Sequence, residues 1–460
     1  MSEVILDAAD GDAATPVHAL AEAEAAAFLE AAPKAVAAQA RLADFKGKAG
    51  QIVLIPDAEG APAQALFGMG PSPEAMGLRA LGAKLPAGTY RLEQLPPQIA
   101  RQQAALAFAL GAYRFDRYKR PPSERARLTA EGCDVAEVRQ IAHACNLARD
   151  MVNTPANDMG PLQIETIARE IAEQHGGQAT VIQGEGLLEA GYPAVHAVGR
   201  AAAPDRAPRM IEIAWGDPAA PSVAIVGKGV VFDTGGLDLK PSSAMRLMKK
   251  DMGGAAHALA LGRMVMAGGL PVRLTVLTPV VENAVSGAAM RPGDVIATRK
   301  GLSVEIGNTD AEGRLILADA LTRAAELQPE LTIDLATLTG AARAALGPQL
   351  PPFFTDDEAL AADLARHALT EGDPLWRLPL WKPYAEALDT EIADVKNDPD
   401  GWAQAGAVTA ALFLQKFAPP GAWAHFDIFA WNPKSAPGRP TGGEAQAIRA
   451  LYALLRERYA

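Results

Sequence analysis

The feature that most limits what this chain can fold into is an alternation running through its second half. Short runs rich in β-branched residues and leucine, Val223 to Val226, Leu274 to Val281, Val304 to Ile306, Leu331 to Leu335 and Trp423 to Ile428, are separated by stretches with helical periodicity, notably Ala255 to Met266 and Leu315 to Leu327. Apolar runs of that length read as strands buried on both faces, and strands that alternate with helices build a largely parallel or mixed sheet flanked by helices. The fold class is therefore α/β. In such sheets ligands bind beyond the carboxyl ends of the strands, which is where the search for chemistry begins.

At 460 residues the chain exceeds what one hydrophobic core supports, so two domains are expected. The first forty-odd residues are Ala-rich with scattered charges and read as helix. From Gln51 to Tyr113, short apolar runs such as Ile52 to Ile55 alternate with Gly/Pro breaks and a helical stretch from Gln98 to Ala112, which suggests a smaller α/β domain. Lys119 to Ser123, polar and carrying Pro121 and Pro122, reads as a linker. Val135 to Val152 is apolar at 135, 138, 141, 145, 148 and 152, a helical period, and proline at 155 stops it. The expected division is a small N-terminal α/β domain at 1–120, a linker and connecting helix at 121–152, and a larger domain at 153–460 that bears the most polar segments.

Three of those segments are unusually polar for positions so close to a core. Val226 leads into Gly227-Lys228-Gly229, then Asp233-Thr234-Gly235-Gly236 and Lys240; Met248 is followed by Lys249-Lys250-Asp251; Ile306 is followed by Asn308, Asp310, Glu312 and Arg314. Each is expected directly after a strand. Asp233, Asp251, Asp310 and Glu312 would bring four carboxylates into one crevice, where repulsion and desolvation demand cations; two divalent metals would neutralise them. Lys228 is either a counter-charge or, deprotonated, a nitrogen ligand, and Lys240 is free to stay cationic. Gly227-Lys228-Gly229 lacks the spacing of a phosphate-binding loop, and the seven histidines never form the HExxH of classical zinc proteases.

The same segments carry a resemblance. Asn308-Thr309-Asp310-Ala311-Glu312-Gly313-Arg314-Leu315 resembles the signature of the leucyl aminopeptidase family, peptidase family M17. The run from Gly227 to Gly254 is similar to that family's first metal motif, with steps of five, seven and eleven residues from Lys228 through Asp233 and Lys240 to Asp251. Asn153 to Asn157 and Leu335 to Gly340 match further landmarks, so the resemblance runs from roughly residue 145 to the C-terminus. It implies an aminopeptidase acting on peptides with two divalent metal ions, Mn²⁺ or Zn²⁺. Asp233 and Glu312 would bridge them, Asp310 would complete the more exchangeable site, and Asp251 with Lys228 the tighter one. Lys240 would stabilise the oxyanion and Arg314 would hold a bicarbonate anion that takes the water's proton, a role a helix N-terminus beside a guanidinium suits. Met248, Thr337 and Gly340 would line the pocket for the first side chain, Asp251 would meet the free amine, and the Leu338 carbonyl would hold the substrate backbone. The resemblance further implies a homohexamer and a smaller domain similar to macro domains.

One departure stands out. Where the family has Asp-Ile-Ala-Gly, this chain has Asp427-Ile428-Phe429-Ala430, followed by Trp431, so Phe429 and Trp431 either reshape the pocket or serve as core aromatics.

Charge and composition bear on partners. A net charge of −11 leaves no overall attraction to nucleic acid or anionic membrane, so a DNA-binding member of the family is the weaker alternative. A two-metal hydrolase of phosphate esters is another, disfavoured by so few spare cations. No run of about 18 apolar residues is present, and Met1-Ser2-Glu3 does not open like a secretion signal, which points to a cytoplasmic protein. Cys133 and Cys145, twelve residues apart, fit neither a zinc knuckle nor a redox pair.

Overall fold

A computed structural model of the protein describes residues 4–7, 14–119, 124–399, 402 and 404–460. The expected linker, Lys119 to Ser123, lies outside the described residues from 120 onward. The chain forms two compact units, 1–146 with 434–441, and 147–433 with 442–460. The division falls inside the helix Val135–Asn153, which ends one residue beyond its expected terminus and is closed by the Thr154 hydroxyl donating to the Asp150 carbonyl at 2.7 Å.

The first unit is built on six strands among the described residues: β1 (Ile5–Leu6), β2 (Thr15–Ala21), β3 (Ile52–Pro56), β4 (Pro62–Gly70), β5 (Gly88–Gln94) and β6 (Ala126–Thr129), in the order β1-β6-β5-β2-β4-β3. All neighbours are parallel except β3 with β4. The expectation that the first forty residues are helical is corrected here. Helices do occupy Glu22–Ala31 and Lys34–Leu42, but β2 precedes them and lies at the centre of the sheet. Its alanines have helical propensity, yet Val17, Ala19 and Leu20 are fully buried between β4 and β5, and that packing overrides a weak local preference.

The second unit holds a larger mixed sheet. Its strands are β7 (Gln178–Gln183), β8 (Arg209–Trp215), β9 (Ser222–Gly227), β10 (Gly229–Asp233), β11 (Arg273–Asn283), then, beyond a separate pair β12 (Val295–Ala297) and β13 (Ser303–Glu305), β14 (Leu331–Ala336), β15 (Pro352–Phe354) and β16 (Trp376–Arg377). β17 (Val395–Lys396) joins β12 and β13, and β18 (Ala422–Asp427) completes the large sheet in the order β16-β15-β18-β14-β9-β11-β8-β7, with β10 also on β11. The centre, β18-β14-β9-β11, is parallel. Val304 to Ile306 was expected among these strands; it belongs instead to the three-stranded sheet β12-β13-β17, because three residues with partly exposed flanks pair locally rather than enter the core.

Helices cover both faces, as strand periodicity requires. Ala224 and Val226 of β9 pack in one cluster with Leu315, Ile316 and other residues of the helix Gly313–Glu326. Gly227, on the opposite side of the pleat from Val226, approaches Ala258 of the helix Gly253–Ala267 so closely that a Cβ would stand 2.6 Å from its Cβ. No helix among the described residues is long and apolar enough to cross a membrane.

Candidate active site

The carboxyl ends of β9, β10, β11 and β14 converge on one crevice, and the loops and turns leaving them supply most of the site. Lys228 is the single residue between β9 and β10, both of which run parallel to β11. Its backbone N–H donates to the Leu335 carbonyl at 3.0 Å, which anchors the break between the two strands to β14. Its side chain runs inward past Gly313, where a Cβ would lie 2.5 Å from the Lys228 Cε. Asp233 ends β10. Its Oδ1 accepts from the Gly235 N–H at 2.9 Å and from the Asn283 Nδ2 at 2.8 Å, so a second strand end, that of β11, fixes the first.

The other two segments differ from expectation. Asp251 does not follow a strand. It sits in a tight 3₁₀ turn, Met248–Met252, that opens the helix Gly253–Ala267, and the Thr337 hydroxyl donates to its Oδ1 at 2.9 Å. Asp310 and Glu312 follow β13 of the small sheet. Their loop is held from two sides: Asn397 accepts from the Gly307 N–H at 2.7 Å and donates to the Asn308 carbonyl at 2.8 Å, while Thr309 donates to the Gly235 carbonyl at 2.6 Å. Glu312 is the N-cap of the helix Gly313–Glu326.

The carboxylates meet as the charge argument requires. Asp233, Asp310 and Glu312 each offer an oxygen, all within 4.8 Å of one another. Lys228 Nζ lies 2.7 Å from Asp251 and 3.0 Å from Glu312, while Lys240 Nζ lies 2.8 Å from Asp233 and also pairs with Asp310. Among the described residues, Asp251 Oδ2, Asp310 Oδ1 and Glu312 Oε1 are buried and are met by these two ammonium groups alone. Lys228 and Lys240 do not balance four carboxylates, and hard oxygen donors of this kind suit divalent cations. Burial and the neighbouring Asp233 push Glu312 up to about 8 and Asp310 up to about 6. Burial opposes charge on Lys228, but Asp251, Glu312 and Asp233 outweigh it and hold its ammonium above the ordinary lysine range. In this carboxylate field alone Lys228 is a counter-charge, and ligation through nitrogen requires added cations to displace its proton. Lys240 is held protonated in the same way, against burial, by Asp233 and Asp310.

Arg314 is buried at the start of its helix. Its Nη1 donates to the Asn397 carbonyl at 2.6 Å, while its Nε has no partner among the described residues, an arrangement that fits a small anion. The crevice opens into a cavity of about 380 Å³. Every anticipated site residue except Glu312 lines it: Lys228, Asp233, Lys240, Met248, Asp251, Asp310, Arg314, Thr337, Leu338 and Gly340. Glu312 lies just beneath, against Lys228. Phe429 lines the cavity; Trp431 does not, and pairs instead in a short ladder with Gly443. None of the seven histidines reaches it, and both cysteines are free.

Three positioning residues were not anticipated. Asp427 accepts from the Leu338 and Thr339 N–H groups at 3.0 and 3.1 Å and from the Thr339 hydroxyl at 2.6 Å, which shapes the loop that carries Thr337 to Gly340. Asn283 and Asn397 play the same part for Asp233 and the Asp310 loop. All three stand at the carboxyl ends of strands, and scanning every strand end for Asn and Asp, rather than the charged runs alone, would have found them.

Comparison with known proteins is consistent with this geometry. Residues 146–452 match the catalytic domain of the cytosol aminopeptidase family, and residues 15–130 match the M17 aminopeptidase N-terminal domain, so the likeness extends into the region where sequence motifs carried little. A probable cytosol aminopeptidase from Syntrophotalea carbinolica is 40% identical over 451 residues, 90% of each chain. The crystal structure of cytosol aminopeptidase from Coxiella burnetii superposes with a TM-score of 0.93 at 42% identity, covering 99% of this chain and 100% of that one. The bottromycin maturation enzyme BotP in complex with Mn gives a TM-score of 0.87 at 36% identity, covering 97% and 99%.

Proposed function

Because the chain belongs to the cytosol aminopeptidase family, peptidase family M17, and is therefore an aminopeptidase, we propose that the crevice around Lys228 and Lys240 removes one residue at a time from the free amino end of peptides. The observation that carries this reading is the convergence of Asp233, Asp310 and Glu312 within 4.8 Å, three carboxylates faced by two ammonium groups, Lys228 and Lys240. Asp233, Asp310 and Glu312, with Asp251 and Lys228 beside them, would hold two divalent cations. Mn²⁺ and Zn²⁺ are the candidates, and BotP was solved with Mn. Such a pair, when bound, polarises the scissile carbonyl and makes water acidic enough to attack it near neutral pH.

The chain's own groups do the rest. Asp251 receives the substrate's free ammonium, which limits the reaction to the first residue. The Leu338 carbonyl accepts a hydrogen bond from the substrate backbone, held in place because Asp427 pins the Leu338 and Thr339 amides on either side of it. Lys240, kept cationic by Asp233 and Asp310, stabilises the oxyanion as the carbonyl becomes tetrahedral. Arg314, with an unpartnered Nε and the amides of its helix start, would hold bicarbonate, which supplies an acceptor for the proton leaving the water. Met248, Thr337 and Gly340 line the pocket for the released side chain; Phe429, standing where the family pattern has alanine, makes that pocket narrower than the leucyl type. A homohexamer in the cytoplasm is the assembly and location this reading carries with it.

The test is hydrolysis of aminoacyl-p-nitroanilides by purified protein, with chelator and with Mn²⁺ or Zn²⁺ restored. Metal-dependent release from free-amine substrates and none from N-acetylated ones is expected. Equal release from both would end the reading.

A further inference from the structure

Two cations on the cavity wall have no part in the proposed chemistry. Lys250 is only 6% exposed, and among the described residues its Nζ has a single anionic contact, 3.5 Å from Asp251 Oδ1. Arg343 is exposed and forms no ion pair among the described residues; it lies three positions beyond Gly340 on the short helix Gly340–Leu346, hence on the same helix face. Both line the cavity, and both lean on one ring: the Arg343 Cζ is 4.8 Å and the Lys250 Nζ 5.3 Å from the centroid of Phe429.

The two carboxylates that act on Lys250, Asp251 and Asp427, are already engaged elsewhere. Asp251 is held by Lys228 and Thr337, and Asp427 is occupied by two amides and a hydroxyl. Once Asp251 also holds a divalent cation or the substrate ammonium, Lys250 is a desolvated charge without a counter-ion, which is a costly state. Arg343 meanwhile presents a planar donor set stacked on an aromatic face, which suits a carboxylate. An anion brought in by the substrate would complete both.

We propose that Lys250 and Arg343, with Phe429 as their platform, form a carboxylate subsite in the pocket for the released residue, so that the enzyme prefers peptides beginning with glutamate or aspartate. This rests on the reading that Met248, Thr337 and Gly340 line that pocket. The same chemistry could be met by the terminal carboxylate of a dipeptide, and the experiment separates the two sources.

The measurement is kcat/KM for C-terminally amidated tripeptides Glu-Ala-Ala, Gln-Ala-Ala and Leu-Ala-Ala, and for Leu-Gly against its amide, with the metal-restored enzyme and its Arg343→Gln and Lys250→Met variants. Glu and Gln differ in charge at nearly constant shape. The intact enzyme is expected to favour Glu over Gln by at least about ten-fold, the size of one charge-assisted contact, and each variant to lower that ratio by a similar factor. Arg343→Glu is expected to turn the preference toward Lys-Ala-Ala. A Glu-to-Gln ratio near or below one, or a ratio unchanged in Arg343→Gln, overturns the proposal. So does a variant effect confined to Leu-Gly against its amide, which would place the carboxylate at the peptide's far end. Leu-Ala-Ala is the control: its turnover with no Glu preference sinks this inference alone, whereas silence on every peptide sinks the aminopeptidase reading and the subsite with it.

Discussion

Lys240 bridges Asp233 and Asp310, two carboxylates brought together from different sheets, with its Nζ 2.8 Å from the Asp233 Oδ2. The residue proposed for the oxyanion is thus also the counter-charge of two proposed metal ligands. Lys240→Ala is expected to retain bound metal, because removing a competing cation leaves both carboxylates free for it. Turnover should nonetheless fall by about 10²- to 10³-fold, the usual loss on removing an oxyanion donor. Asp233→Ala and Glu312→Ala should lose metal and activity together. Elemental analysis alongside peptide hydrolysis distinguishes the two patterns, and full activity in Lys240→Ala would exclude the oxyanion role.

Gly313 makes room for Lys228, since a Cβ there would lie 2.5 Å from Cε and 2.7 Å from Nζ. Alanine is the better helix former, so Gly313→Ala should leave the helical circular dichroism unchanged. It is expected to push the Lys228 side chain away from Asp251 and Glu312 and so lower metal content and turnover. A variant with full metal and full rate would show that Lys228 is not needed where it stands.

Asp427→Asn keeps one acceptor for the Leu338 and Thr339 amides but turns a donor toward the Thr339 hydroxyl, which now donates at 2.6 Å. Loss of one buried hydrogen bond costs about 1–3 kcal/mol. If the loop positions substrate, KM should rise by more than kcat falls. A drop in thermal midpoint with unchanged kinetics would mark the residue as structural alone.

His425 and Asp334 form a fully buried pair, Nδ1 to Oδ1 at 2.5 Å, and Trp423 Nε1 donates to the other Asp334 oxygen at 2.7 Å. Burial works against charge on His425, but Asp334, and more weakly Asp427, raise its pKa above 6.5, with Arg314 opposing. A histidine raised in the folded state contributes stability that is fully present below the unfolded value, about 6.5, and is lost as pH rises through the folded value. The unfolding free energy of the intact protein minus that of His425→Gln should therefore be largest below about pH 6 and shrink above neutrality. A difference that grows with pH would overturn the assignment.

Ala430 adopts φ +55°, where the family pattern has glycine. That conformation costs a non-glycine residue about 1–2 kcal/mol. Its methyl group is fully buried, and a Cβ on Gly253 would stand 2.6 Å from it, so Ala430→Gly removes packing of about 1 kcal/mol and adds unfolded-state entropy of about 0.4–1 kcal/mol. These nearly cancel, and the unfolding free energy from denaturant titration should shift by less than about 1 kcal/mol. A gain above about 1 kcal/mol would mean that the methyl's packing does not offset the strain it imposes.

Legible in the residues alone was whatever is written locally. The buried strands Val223 to Val226 and Leu331 to Leu335 carry their burial in their own composition, and Asp310, Glu312 and Arg314 stand within five residues of one another, so one loop declares half the site. Tertiary structure decided what depends on partners far along the chain. β2 is a strand because β4 and β5 flank it, although its alanines favour helix. Asn283 reaches Asp233 across 50 positions and Asn397 reaches Gly307 across 90, so neither residue announces its role in its own neighbourhood. The same holds for the cations on Phe429: Lys250 and Arg343 are ordinary surface-type residues in sequence, and only the packing of a 3₁₀ turn, a short helix and the end of β18 brings them to one ring. A hydrophobic pattern is a property of consecutive residues, whereas a charge becomes a site only through the burial and the neighbours that the fold supplies.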